Sequence, residues 1–233
     1  MDSAEFDQFA EEYTRLHARS ISASGESPEF FARYKVSDVA EEQLRRGRQT
    51  NRILDFGSGI GSSVPYWSES FPLANLVCLD VSERSLTLGS GQFGQQAAFC
   101  SFDGETIPFA SGSFDVAFAA CVFHHIPETL HVSLFRELRR VLARDGALYI
   151  FEHNPLNPLT RRAVDMCEFD RNAVLIRSGL LRERLQEAGF RQVDIAYRIF
   201  FPAMFRALRP IERGLRWLPL GAQYRAVAHS VRD

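Results

Sequence analysis

Three glycines at alternate positions, Gly57, Gly59 and Gly61, follow an apolar run in the segment ILDFGSGIGSS. Without a Cβ the backbone there turns tightly and lets a ligand approach. A helix opening at Ser62 or Ser63 aims its free N–H groups and positive dipole end at the same place, which favours an anionic or polar group. The dinucleotide fingerprint needs G-x-G-x-x-G to seat a pyrophosphate, and here the third glycine comes one residue early. Asp55 stands two residues before the first glycine, where a carboxylate repels pyrophosphate and attracts an ammonium. A second apolar run, LVCLD, ends in Asp80. An acid at that place in a Rossmann-like sheet accepts hydrogen bonds from ribose hydroxyls, and its plainer role is to cap the next helix. Asp103 and Gly104 end a third run, where a carboxylate and a backbone N–H suit an adenine edge. Three sets at the carboxyl ends of successive strands converge on one crevice.

The groups able to move a proton near neutral pH are His124 and His125 after a fourth apolar run, and Glu152 and His153 after a fifth. The four cysteines, Cys78, Cys100, Cys121 and Cys167, form no C-x-x-C pair and read as buried free thiols. Spacing spells out no metal site, the nearest combination being His124, Glu152 and His153.

Short apolar runs alternate with helical patterns from residue 51 onward: NRILDF, NLVCLD, AAFCSF, FDVAFAAC, GALYIF, RQVDIAYRIF and QYRAVAHS. Helical stretches at Glu128 to Ala143 and Arg177 to Ala188 complete an α/β pattern of β-α-β units, which predicts a mainly parallel sheet with helices on both faces. Gly146 and Gly189 suit left-handed helix ends. Ahead of the sheet lie a helix over 3–18 with Phe6, Phe9, Tyr13 and Leu16 on one stripe, the connector SISASGES, and a helix over 27–46 with Pro28 at its first position. Asn154-Pro155 and Asn157-Pro158 fix a turn before a further helix, and Asn154, Arg161, Arg162 and Asp170 are candidates to face a ligand placed over the strand ends. Only the segment from Phe200 to Gly221 separates the last two strands, so an antiparallel finish is expected. That segment sets Phe200, Phe201, Met204, Phe205, Trp217 and neighbours beside Arg206, Arg209, Arg213 and Arg216, with Glu212 as the single acid. It fits a cover for an anionic acceptor, a peripheral membrane contact through 200–218, a dimer face, or a plain packed insertion.

The ordered set ILDFGSGIGSS, LVCLDVS, FDGETIPFASGSFDVAF, CVFHHIP and ELRRVLARDGALYIFEH resembles the motif series of the class I S-adenosylmethionine-dependent methyltransferases, in the small, single-domain branch. The motifs cover residues 51 to 153, and the strand count extends the likeness to residue 231. The resemblance implies a doubly wound, seven-stranded Rossmann-like sheet in the order 3-2-1-4-5-7-6, with the last strand antiparallel and an N-terminal helical lid. It also implies a site for S-adenosyl-L-methionine. Gly57, Ser58 and Gly59 then face the methionine part with Asp55 near its ammonium. Asp80 and Val81 lie at the ribose, Asp103 and Gly104 at the adenine, Ala120 and Cys121 beside the methionine tail. Tyr13 of the lid is a candidate contact for the carboxylate, or else a packed helix aromatic. Within this family F-H-H-I is a helix-entry element, which favours a structural histidine at His125.

With 233 residues, 45% hydrophobic and 24% charged, and a net charge of −2, the chain has ordinary globular composition and room for one large domain. The expected division is a lid over 1–48, a cofactor half over 49–153 and an acceptor-side half over 154–233. No apolar run nears the roughly 20 residues of a membrane span, and the acidic start MDSAEFDQFAEEY is unlike a signal peptide, so a cytoplasmic protein is expected. The expected activity is methyl transfer to an oxygen or nitrogen of a small molecule, in secondary-metabolite or polysaccharide biosynthesis, by a monomer or homodimer. A nicotinamide oxidoreductase is disfavoured by Asp55 and the early third glycine. Nucleic acid as acceptor is disfavoured by ACVFHH, which stands where amino methyltransferases carry their asparagine–proline motif. A cofactor-binding regulator without catalysis is the rival from another class.

Overall fold

The computed structural model describes residues 21, 24–168 and 170–230. The elements, in chain order, are α1 (Pro28–Arg45), β1 (Arg52–Phe56), α2 (Val64–Ser70), β2 (Asn75–Asp80), α3 (Glu83–Phe93), β3 (Ala98–Ser101) and β4 (Phe114–Ala120). A 3-10 turn (Phe123–His125) leads into α4 (Glu128–Val141) and β5 (Leu142–His153). Then come α5 (Pro158–Asp165), α6 (Ser178–Glu187), β6 (Gln192–Arg198), a 3-10 segment (Ala203–Ile211), α7 (Glu212–Leu215) and β7 (Gln223–His229). All seven apolar runs are strands of one sheet, in the order β3-β2-β1-β4-β5-β7-β6. β1 to β5 pair in parallel, and β7 runs antiparallel between β5 and β6. The expected fold class therefore holds. Because β1 pairs with β2 on one side and β4 on the other, the strand order reverses there and opens a crevice at the carboxyl ends.

Side chains alternate across the sheet and divide the core in two. Leu54, Phe56, Ala117, Ala119, Leu148 and Ile150 pack against α4 and α6 through Leu134, Leu138, Leu181 and Leu185. On the other face Ile53, Val116, Phe118, Tyr149 and Phe151 pack against Val36 and Val39 of α1 and Val64 and Trp67 of α2. Asp55 shares the face of Ile53 and so lies under α1 and α2.

α1 begins as its sequence predicts: the Ser27 side chain accepts from the Phe30 N–H and Pro28 opens the first turn. Gly189 ends α6 with φ of +98°. Gly146 departs from expectation. α4 stops at Val141 instead of Ala143, Leu142 is already extended, and Gly146 lies inside β5 without a positive φ. Its small size answers a close approach: a Cβ there would meet the Ala143 and Asp115 carbonyl oxygens at 3.1 Å. α2 also opens later than Ser62 or Ser63, at Val64, because turns at Ser58 to Gly61 and Gly61 to Val64 use up the intervening residues. The expected helix over 3–18, with Tyr13, lies outside the described residues. Among the described residues no helix is long and apolar enough to cross a membrane.

Candidate functional site

Gly57 takes φ of +70°, and a Cβ on it would strike the Val122 methyls at 2.5 Å, so only glycine lets the end of β1 lie against the chain leaving β4. Gly59, at φ of +54°, has open space where a Cβ would stand. The N–H groups of Gly57 and Ser58 donate to the Leu79 carbonyl at 2.7 and 3.2 Å, which stitches the loop to β2. The Asp80 carboxylate accepts the Gly59 N–H at 2.8 Å and the Ser82 N–H at 2.9 Å. Asp80 is not the cap of α3: Ser82 is, accepting from the Ser85 N–H at 3.1 Å. Val81 is buried beside it. The Phe102 N–H donates to the Asp80 carbonyl at 3.2 Å and brings the next loop to the same place. There the exposed Asp103 accepts the Glu105 and Thr106 N–H groups at 2.8 and 2.7 Å. Those bonds hold its carboxyl below the usual range. Gly104 follows at φ of +85°.

Asp55 is 2% exposed, and the Ser63 hydroxyl donates to it in place of capping α2. Burial pushes the Asp55 carboxyl up to about 7, against the pull of Ser63 and the Lys35 ammonium and with the push of the Asp80 charge. Lys35 is buried on the inner stripe of α1 with Phe31 and Val39. Its Nζ donates to the Cys121 Sγ at 3.3 Å. The sequence reading missed Lys35, although a lysine on an apolar stripe spaced i, i+4, i+8 was its signal.

Cys121 follows Ala120 at the end of β4 with φ of +60°, uncommon for a residue with a side chain. Its N–H donates to the Phe151 carbonyl at 2.7 Å. Burial alone raises this thiol, but Lys35 and His153 outweigh it and bring it down to about 6. The four cysteines are free as expected, yet only Cys78 and Cys167 are fully buried.

The histidines form one network. His124 is 2% exposed, with Nδ1 at 2.5 Å from Glu152 and Nε2 at 3.6 Å from Asp170. The other Glu152 oxygen accepts the Val122 and Phe123 N–H groups at 3.2 and 2.8 Å. Burial lowers His124, but the two carboxylates prevail and raise it to about 10, so it is an imidazolium. His125 lies 3.3 Å from the same Asp170 oxygen, and burial followed by the His124 charge pushes its pKa down. His153, half-buried, has its ring 5.2 Å from that of His124. Among the described residues the group whose ligand atoms lie close enough to hold a metal ion, within 4.8 Å of one another, is His124, His125 and Asp170, and not the combination of His124 with Glu152 and His153. Asn154 does not face the acceptor side: its amide donates to the Pro219 and Gly221 carbonyls and pins the last connection. Arg161 and Arg162 are exposed, while Asp170 joins the histidines.

The open backbone at Gly59, carboxylates at Asp55 and Asp80, and an ammonium at Lys35 fit a ligand with an amino acid at one end and a ribose at the other. The family model described as a methyltransferase domain matches residues 54–150. The chain is 27% identical over 184 residues to a malonyl-[acyl-carrier protein] O-methyltransferase of Geobacter sulfurreducens, covering 72% of this chain and 68% of the relative. It is 27% identical over 124 residues to a ubiquinone/menaquinone biosynthesis C-methyltransferase of Hahella chejuensis, covering 50% of this chain and 49% of that one. In fold it resembles an S-adenosylmethionine-dependent methyltransferase of Thermotoga maritima, with a TM-score of 0.67 at 16% identity over 97% and 98% of the two chains. The molecule thus has the class I methyltransferase fold. Residues 54–150 are similar to the methyltransferase domain by that match, which implies S-adenosylmethionine as the cofactor.

Proposed function

We propose that the chain methylates an oxygen or nitrogen of a small, non-nucleic-acid acceptor held over the carboxyl ends of β4 and β5. The observation that carries this reading is the continuous line of contacts from Asp80 through Gly59, Gly57 and Val122 to Cys121, Lys35 and His153. S-adenosylmethionine, when bound, supplies a methyl carbon on a sulfonium, set for in-line displacement. Asp80 and Val81 hold the ribose, Asp103 and Gly104 the adenine, Gly57, Ser58, Gly59 and Ala120 the methionine backbone, and Asp55 its ammonium.

Proton removal from the acceptor falls to His153, at the end of β5 beside Cys121. His124 keeps its own proton and acts as a positioning residue between Glu152 and Asp170, with His125 packed against it. Held this way, the network orients a base without itself taking the proton. The heteroatom reading follows the likeness to the malonyl-[acyl-carrier protein] O-methyltransferase, which spans 72% of this chain, against 50% for the C-methyltransferase. The chain is expected to work in the cytoplasm.

The test is calorimetric titration with S-adenosylmethionine, S-adenosylhomocysteine and NAD, followed by turnover of an acceptor panel. Micromolar binding of the first two, and a His153→Ala variant that loses at least tenfold in turnover with its cofactor affinity kept, is the expected result. Cofactor binding with no methylated product from any acceptor supports the regulator instead, and binding of NAD alone overturns the reading.

A further inference from the structure

A second cleft, about 330 Å³ in volume, lies between α1 and the connection from β6 to β7. Four guanidinium groups line it, Arg33, Arg198, Arg209 and Arg216, against the three carboxylates of Asp38, Glu41 and Glu212. Most of these charges are already matched. Arg198 Nε donates to Asp38 at 2.7 Å, and Asp38 also holds Arg225 at 3.2 Å. Arg209 pairs with Glu26 and lies over the Phe30 ring at 4.6 Å. Arg33 reaches Glu69 at 3.6 Å, and Glu212 accepts the Phe200 and Phe201 N–H groups at 3.0 Å.

Arg216 is the exception. Its Nε is buried without a hydrogen-bond partner among the described residues. It also lies within the field of Arg225 and Arg213, with Glu41 and Glu42 acting only through space. Burial and these like charges push the pKa of Arg216 down, and burial with Arg216 and Arg225 brings Arg198 down to about 9. Crowded cations in a partly desolvated wall are costly unless an anion joins them, and a guanidinium presents a fork suited to carboxylate or phosphate.

The floor of this cleft is Tyr34, whose hydroxyl donates to the Gln223 amide oxygen. Gln223 in turn reaches Cys121 Sγ through Nε2 at 3.7 Å. One layer of side chains therefore separates the cleft from the proposed methyl-transfer centre, and the apolar faces of Phe30 and Tyr34 line the way.

Resting on the methyltransferase reading above, we infer that this cleft is the acceptor's anchoring site: it takes an organic anion, a carboxylate or phosphate on an apolar body, with Arg216 and Arg198 holding the anionic group. The acceptor's far end then points past Tyr34 toward Cys121 and His153.

The test titrates benzoate, phenyl phosphate and benzyl alcohol into the protein saturated with S-adenosylhomocysteine. Wild type, Arg216→Gln, Arg216→Lys and, as a surface control, Arg206→Gln are compared. The expected result is that at least one anion binds tenfold or more tightly than benzyl alcohol. Arg216→Gln should lose that preference, Arg216→Lys keep part of it and Arg206→Gln keep all of it, with S-adenosylhomocysteine affinity unchanged throughout. The tighter anion then tells carboxylate from phosphate. Anions that bind no better than benzyl alcohol, or equal losses in Arg216→Gln and Arg206→Gln, overturn the inference. Anion binding that depends on Arg216 in a protein that ignores S-adenosylhomocysteine overturns the acceptor assignment and the methyltransferase reading together. If Arg216→Gln fails to fold, the comparison of Arg216→Lys with wild type decides: a reduced preference for anions supports the cleft, and an unchanged one overturns the inference.

Discussion

Burial pushes the Asp55 carboxyl up to about 7 in the free protein, so the proposed pairing with the cofactor's ammonium has to expel its proton at lower pH. Cofactor affinity should therefore rise as pH climbs through 7 and level off above it. Calorimetry at pH 6 in buffers of different ionisation enthalpy should show proton release, which Asp55→Asn abolishes. A second expectation concerns Cys121, whose thiolate forms near pH 6. Alkylation by iodoacetamide should show a midpoint near 6 in the free protein, Lys35→Met should move that midpoint up, and bound S-adenosylhomocysteine should slow the reaction. Asp80→Ala should weaken S-adenosylmethionine binding at least tenfold. It also leaves the Gly59 and Ser82 N–H groups without their acceptor, at about 1–3 kcal/mol, seen as a fall in melting temperature. The glycines and the acids of this site were legible in the sequence because their chemistry needs fixed offsets from strand ends. The tie of His124 to Asp170 was not, since a contact across 46 residues is set by packing and leaves no local spacing, and Lys35 was signalled only by its place on the apolar stripe with Phe31 and Val39.

α1 is fastened by charge as well as by its apolar stripe. Asp38 faces Arg198 of β6 and Arg225 of β7, and Glu42 lies 3.7 Å from Arg225. Asp38 is 5% exposed and Arg225 8%. Removing one partner of such a network leaves the others charged in the interior, at about 3–5 kcal/mol. Asp38→Ala should accordingly lower the urea midpoint strongly, while Asp38→Asn, which keeps a hydrogen-bond acceptor, should cost less. The start of α1 could be read from Ser27-Pro28, a purely local signal. The end of α4 could not, because at Leu142 the pairing of β5 with β4 overrides helix propensity. Gly146 misled for the same reason: a glycine chosen for close backbone approach looks, in sequence, like one chosen for a helix end.

At the scale of the whole molecule a pH lever is the His124 imidazolium just past the end of β4. A histidine raised from 6.5 to about 10 gives stability that is fully present below pH 6.5 and is lost as pH rises through 10. Asp170, held far below its usual range by His124 and His125 despite burial, gives stability present above pH 4 and lost as pH falls. Between pH 7 and 9 the Cys121 thiol, lowered from 9 to about 6, adds stability while the imidazolium loses it, so urea midpoints of a Cys121→Ala variant should decline between pH 7 and 10, and adding Glu152→Gln should flatten that slope. The strand order has another consequence, for the order of synthesis. β5 and β6 touch only through β7, which leaves the ribosome after both. Until then β5 and β6 both carry open edges, and the guanidinium that locks α1 in place, Arg225, has not yet been made. The nascent chain therefore carries β5 with an open edge from residue 153 and β6 without its sheet partner from residue 198 until β7 is made, and a ribosome stalled before residue 223 should release a species prone to pair edge to edge with its neighbours.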